Sequence, residues 1–205
     1  NFGPQLMVGF NRRFSPQIQK MCSLLSGVDA PKSILMTINA GFIPKEHWTQ
    51  DPSRGGGRII GECCHFIDLM RFLVGKKIIS VNGRAMFSKP SRAILEDSSS
   101  ITLGFEDGSF GTIMYLANGA SNFPKERVEV FTEGKVLQLD NFRRLKGFGW
   151  QGFKKMNLWS QDKGQNACAV AFIGGLKTGT PCIPLDQIFE VAYATIEASD
   201  ILLRQ

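Results

Sequence analysis

The sequence predicts an α+β fold: an open, mainly antiparallel β-sheet with helices packed on one face. Three observations carry this. Apolar residues recur at spacings of three and four near both ends of the chain, the signature of amphipathic helices. Alternation by two dominates the middle. Glycine-bearing turns such as Glu106-Asp107-Gly108 and Glu133-Gly134-Lys135 separate those alternating runs at hairpin spacing. Helices, then successive hairpins, then helices again is the order of a layer in which helices cover one sheet face, while the other face is polar or meets a partner.

Taken in order, Leu6-Met7-Val8-Gly9-Phe10 is an apolar run suited to a buried strand. Ser15-Pro16 follows as an N-cap with proline at the first helical position, and that helix is expected to reach about Gly27. Ser33 to Ala40 alternates as a strand with Ile34, Met36 and Ile38 on one face. Gly41 to Gly57, with its prolines, glycines, His47 and Trp48, lacks periodicity and is expected to be a long loop. From Gly57 to Val74 the period becomes helical, with Ile59, Ile60, Cys63, Ile67, Met70 and Val74 as the apolar stripe. Strands are expected at 78–86, 98–105, 109–116, 127–132, 136–139 and 143–148. Helices follow near Gly164 to Lys177 and from Leu185 to Leu203, with Pro181 and Pro184 between them.

The chain has 205 residues, 43% of them hydrophobic and 20% charged, enough apolar material for a packed core and too much for disorder. A single domain over residues 1–205 is expected. The longest apolar stretch, Ile59 to Val74, is interrupted by Glu62, His65, Asp68 and Arg71, which excludes a bilayer span. Asn1-Phe2-Gly3-Pro4 shows neither a basic nor an apolar leader region, so a cytoplasmic location is expected. The net charge of +6 comes from scattered pairs such as Arg12-Arg13 and Lys154-Lys155. Without a basic run or stripe, no nucleic-acid partner is expected. Five cysteines, none in a C-x-x-C pair, read as free thiols, and no metal site is expected.

Two segments carry candidate chemistry. Gly55-Gly56-Gly57 with Gly61 is rich in glycine, but no buried strand precedes it, as a dinucleotide-binding turn requires. It reads either as a flexible lead-in to the helix or as a place where helix N-terminal amides meet a polar ligand. On that helix, Arg58, Glu62, His65 and Asp68 fall within one sector about 120° wide at 100° per residue. A base, acids and a cation on one face could move a proton on and off a substrate hydroxyl, with His65 as the base, Glu62 as its orienting carboxylate and Arg58 holding the ligand. The same spacing also describes a solvated face with an Arg58/Glu62 pair one turn apart. No hydrolase signature surrounds Cys63 or Cys64.

Gly55-Gly56-Gly57-Arg58-Ile59-Ile60-Gly61-Glu62-Cys63-Cys64-His65-Phe66-Ile67-Asp68-Leu69 closely resembles the G-G-G…D-x-x-x-H-x-x-D segment of the glucose-fructose oxidoreductase, inositol dehydrogenase and MocA-like superfamily. Val8-Gly9-Phe10-Asn11-Arg12-Arg13-Phe14-Ser15-Pro16, Asp162-Lys163-Gly164-Gln165 and Pro181-Cys182-Ile183-Pro184 resemble further family segments in the same order. The resemblance implies a C-terminal substrate and oligomerisation domain of the dihydrodipicolinate reductase-like type. In the family this domain follows a Rossmann domain, whose E-K-P motif has no counterpart here. NAD or NADP would then be bound mainly by that absent N-terminal domain, and this chain alone would be inactive.

By position, His65 matches the histidine proposed to accept the substrate proton. The family aspartate falls on Gly61, with Glu62 next to it, and Asp68 matches a position with a structural hydrogen bond. Arg12, Arg13, Lys45, Trp48, Lys163 and Arg58 are the candidate ligand contacts. The expected function is the substrate-binding half of an NAD(P)-dependent oxidoreductase acting on a sugar, inositol or nucleotide-sugar hydroxyl or carbonyl, oligomeric through its open sheet face. The alternative is a noncatalytic binding or assembly module of the same fold.

Overall fold

A computed structural model describes residues 4–44, 46–51, 53–87 and 94–205. The expected Ser15 cap is present: its Oγ accepts the Ile18 N–H at 3.3 Å, Pro16 occupies the first turn, and α1 runs Pro16–Leu25, ending two residues before Gly27. β1 (Ser33–Asn39) places Ile34, Met36 and Ile38 in the core. The long loop contains one short 3-10 turn at Trp48–Gln50.

Two expectations change at the N-terminal side. The Leu6–Phe10 run forms no strand. Its backbone closes on itself, Phe10 N–H to Val8 O and Asn11 N–H to Gly9 O, both at 2.7 Å, which is incompatible with a ladder. A 3-10 helix follows at Asn11–Phe14. The helix expected over 57–74 is not uniform either: Ile59–Cys63 forms a π turn, and only Cys64–Val74 is regular α-helix, α2. A π turn closes i→i+5 bonds, so the 100° phase slips across it. The single polar sector drawn from Arg58 to Asp68 therefore does not exist. Asp68 is fully buried against Arg13, away from Glu62.

β2 (Ile78–Phe87), β3 (Ile94–Phe105), β4 (Phe110–Leu116), β5 (Glu126–Thr132), β6 (Lys135–Asp140) and β7 (Arg144–Phe148) follow the expected hairpins, and an unforeseen β8 (Lys155–Asn157) completes the sheet. α3 (Gln165–Thr178) and α4 (Leu185–Leu203) close the chain. The eight strands lie in the order β2-β3-β4-β1-β5-β6-β7-β8. Only β1 and β4 pair in parallel; the remaining neighbours are antiparallel. Gly108 and Gly134, with φ of +83° and +70°, supply the left-handed positions of two hairpins. Among the described residues, no helix is long and apolar enough to cross a membrane.

One sheet face holds Ile34, Met36, Ile38, Ile113, Tyr115, Val128, Val130, Leu137 and Leu139, all buried. α2 and α4 pack over it. Gly111 lets α2 approach: a Cβ there would stand 2.6 Å from Met70 Sδ and 2.9 Å from Ile34 Cβ. At one end of this face, Tyr115 and Glu126 flank Ile38 in register across β4, β1 and β5. That row is the floor of the candidate site. Because Gly111 sits where helix and sheet touch most closely, Gly111→Val should overpack the layer and lower unfolding stability by about 1–3 kcal/mol in urea titrations. An unchanged midpoint would contradict the close approach.

Candidate functional site around His65

Two charged clusters stand on this floor. Glu126 opens β5 with its carboxylate on the core side, in line with Val128 and Val130. Arg12, from the 3-10 helix, forks onto it through Nε and Nη2, both at 3.0 Å. Lys163 adds its Nζ at 2.6 Å. The Lys163 backbone is fixed as well, since its carbonyl accepts from Asn11 Nδ2 at 2.8 Å. Next to it, Gly164 has φ of +82°, and a Cβ there would meet the Asn11 and Ser15 backbone at 2.5 Å. Only glycine permits that contact between the 3-10 helix and the lead-in to α3.

The second cluster centres on Glu62. Its carboxylate accepts from Tyr115 OH at 2.6 Å, Lys125 Nζ at 2.8 Å and Arg58 Nη2 at 2.9 Å. Burial alone would raise this carboxyl, but the hydrogen bonds from Lys125, Tyr115 and Arg58 outweigh it and bring it down to about 2. Glu126 is likewise held below its usual range, the Arg12 and Lys163 contacts overcoming burial. Both carboxylates are anions at neutral pH. The Tyr115 hydroxyl is pushed up by burial and by the Glu62 charge, so it remains a donor.

His65, on the first turn of α2, is partly buried, and its ring stands edge-on to Phe10 with centroids 5.8 Å apart. Its Nδ1 is sealed and has no hydrogen-bond partner among the described residues, whereas Nε2 is not sealed. Burial depresses its pKa to about 4; Arg12 and Lys163 push the same way, against Glu62 and Glu126. An imidazolium would need partners for both N–H groups, and Nδ1 has none. The ring is therefore neutral near pH 7.

The other candidate residues are placed as follows. Arg12 and Arg58, expected as ligand contacts, direct their guanidinium groups at protein acceptors, with Arg58 Nε buried and unpartnered. Arg12 serves Glu126 and stacks on Phe66 at 4.5 Å, while Arg58 serves Glu62 and the Ala40 and Gly41 carbonyls. Arg13 pairs with buried Asp68. Trp48 is 55% exposed beside His47. Lys45 lies outside the described residues. Within the glycine run, Gly55 and Gly56 both donate to Asp51 O, which takes those two amides away from a ligand. At Gly61, a Cβ would lie 3.4 Å from Gly55 O. All five cysteines are free thiols, and burial pushes Cys64 up to about 11, leaving it a poor nucleophile.

Tyr115, Lys125 and Glu126 escape the sequence reading. The signal for Glu126 is its register: it alternates with Val128 and Val130, so a carboxylate there faces the core and demands cations. Tyr115 carries the same signal, as a hydroxyl in phase with Ile113.

The neutral state of His65 has a measurable consequence. Its pKa is about 4 folded and 6.5 as a free side chain. Between those values the unfolded chain binds more protons, so stability rises with pH there and is lost as pH falls from 6.5 towards 4. Urea midpoints measured across that window should fall less in His65→Gln than in the unaltered chain; parallel curves would contradict the burial of the ring.

The comparisons with known proteins agree with this architecture. The family described as GFO/IDH/MocA C-terminal domain matches residues 30–137. A protein from Bacillus subtilis (strain 168) described as uncharacterized oxidoreductase YrbE is 29% identical over 146 residues, covering 69% of this chain and 42% of its own length. Levoglucosan dehydrogenase, solved with NADH and levoglucosan, superposes with a TM-score of 0.79 at 18% identity over 97% of this chain and 64% of that one. UDP-N-acetylglucosamine 3-dehydrogenase GnnA from Acidithiobacillus ferrooxidans gives 0.74 at 17% identity, over 97% of this chain and 62% of that one. The chain thus spans under half of the curated relative and under two thirds of these solved proteins. With a sheet of this order, its helices on one face and a family match over more than half its length, the chain belongs to the GFO/IDH/MocA C-terminal domain family.

Proposed function

We propose that this chain is the substrate-binding and oligomerisation half of an NAD(P)-dependent oxidoreductase acting on a sugar, inositol or nucleotide-sugar hydroxyl or carbonyl. The observation that carries this reading is His65: a neutral imidazole with Nε2 unsealed, close enough to both ion-pair clusters to feel their charges. The names of the relatives, an oxidoreductase and two sugar dehydrogenases, point to the same chemistry. In this reading the nicotinamide, which supplies the hydride acceptor, is held mainly by a separate nucleotide-binding domain.

Within this chain, the proton step falls to His65. In the Nδ1–H tautomer the Nε2 lone pair can accept a proton from a substrate hydroxyl, with Glu62 and Glu126 favouring the resulting cation and the unpaired, buried Nδ1–H disfavouring it. Burial, Arg12 and Lys163 oppose it, so the neutral form is the favoured one. Phe10 fixes the ring plane, and the clusters fix the helix that carries it. In the protein carrying its nucleotide-binding domain, His65→Ala should lower kcat by about 10²–10⁴-fold with little change in KM. Turnover within a few-fold of the unaltered enzyme would instead favour the noncatalytic assembly role.

The open sheet face supports self-association. Phe110 and Phe131, 54% and 44% exposed, flank Ser33 across β4, β1 and β5, with Leu35 two residues further along. Apolar side chains grouped this way on a sheet face favour a partner surface. Phe110→Glu combined with Phe131→Glu should convert the oligomer to monomer in sedimentation analysis; an unchanged mass would place the interface elsewhere.

A further inference from the structure

We propose that the outward face of α3, centred on Val170 and Ile173, is the docking surface for the nucleotide-binding domain. The inference rests on the oxidoreductase reading above and adds to it the surface that brings the two halves together.

α3 is apolar all round. From Ala167 to Leu176 it carries no charged, hydroxyl or amide side chain, and at 100° per residue that stretch covers every side of the helix. One side is used: Cys168 and Gly175 are buried, and the helix packs against the 3-10 helix at Asn11–Phe14. The opposite side is not. Val170 and Ile173 are 72% and 50% exposed, and with Ala169, Gly174 and Lys177 they line a surface hollow of about 350 Å³. A helix at the surface of a globular protein keeps a polar outer face, whereas one that is apolar on every side belongs inside a larger body. Gly174 fits the same picture. A Cβ there would meet nothing within 4 Å, so packing within this chain does not call for glycine, although glycine weakens a helix interior. A second body lying close against α3 gives it a use.

Position identifies the occupant. The 3-10 helix packs against both α3 and α2, the helix that carries His65. α3 starts directly after Lys163 and Gly164, and the Lys163 ammonium sits on Glu126, close enough for its charge to reach the His65 ring. A hydride acceptor has to be held within reaction distance of the carbon whose hydroxyl meets Nε2, so the unit carrying the nicotinamide must border this end of the layer. α3 begins there. Two other exposed apolar groups lie at the far end: Phe189 and Tyr193 line a hollow with Lys77 and Ile78, and Ile78 pairs with Phe105 where β2, β4 and β1 meet at the Ser33 end of the sheet. Phe110 and Phe131 occupy that same end, on the self-association face. Length agrees with a partner of this kind. Levoglucosan dehydrogenase, solved with NADH, is matched over 64% of its chain, so more than a third of it lies outside the match. Gln5 Nε2 donates to Gly175 O at 3.0 Å, so a unit joined ahead of Gln5 starts beside α3.

Thiol accessibility tests the docking without reference to turnover. In the protein carrying its nucleotide-binding domain, Val170→Cys and Ile173→Cys should each react with a maleimide at least about tenfold more slowly than in the urea-unfolded protein, because a covered thiol reacts only through local opening. Peptide mass mapping keeps the native cysteines apart from the introduced ones. The slow rates should persist when the oligomer is diluted to protomers. Val170→Asp combined with Ile173→Asp should speed tryptic separation of the two halves about tenfold or more, and Phe189→Asp combined with Tyr193→Asp should not. Labelling at the unfolded rate, or unchanged proteolysis of the Val170/Ile173 pair, would overturn the proposal. A slow rate that becomes fast on dilution would also overturn it, by making a second copy of this chain the occupant. The redox reading is tested separately, by turnover of His65→Ala, which bears on the base and not on what covers α3, so either can fail while the other stands.

Discussion

The bidentate pair of Arg12 with Glu126 is the contact on which the site depends. A carboxylate with no exposed surface costs several kcal/mol to desolvate unless cations and hydrogen bonds compensate it. Here the compensation comes from two distant parts of the chain, the 3-10 helix at Asn11–Phe14 and the lead-in to α3. Satisfying Glu126 therefore brings those segments to the end of β5. Burial keeps His65 neutral, and the same two cations push in that direction against Glu126 itself, so the contact that shapes the site also bears on the protonation state of its base.

The Glu62 cluster repeats the plan. Each cluster has a central carboxylate, a buried arginine over an aromatic ring and a lysine reaching the surface. Arg12 lies over Phe66, and Arg58 over Tyr115 at 5.3 Å. Stacking on a ring lets a guanidinium lose water on one face without losing all its stabilisation, while its edge keeps the fork to the acid. The difference lies in the aromatic: Tyr115 also donates its hydroxyl to Glu62, tying the π turn to β4.

The sequence made the sheet legible because alternation and glycine turns are local. β4 through β7 and the full length of α4 follow directly from period and punctuation. Two failures have physical causes. Leu6–Phe10 has the composition of a strand, but its backbone folds into tight turns along α3, where Gln5 Nε2 donates to Gly175 O; composition does not report which surface a short apolar run will cover. The π turn at Ile59–Cys63 was hidden because one extra residue in a helix leaves the apolar spacing almost intact while rotating the polar residues beyond it. His65 was visible as chemistry on a helix. Its environment was not, because Glu126 comes to the site through sheet register, and Tyr115 and Lys125 meet Glu62 from segments far away in sequence.

Glu126 meets Arg12 across 114 residues and Lys163 across 37. Closing such wide loops is entropically slow, so these contacts belong to the late stages of folding. A nascent polypeptide that stops before Lys163 would leave this buried acid with Arg12 but without its second cation. Translation must therefore pass Lys163 before both cationic partners of Glu126 exist on one chain.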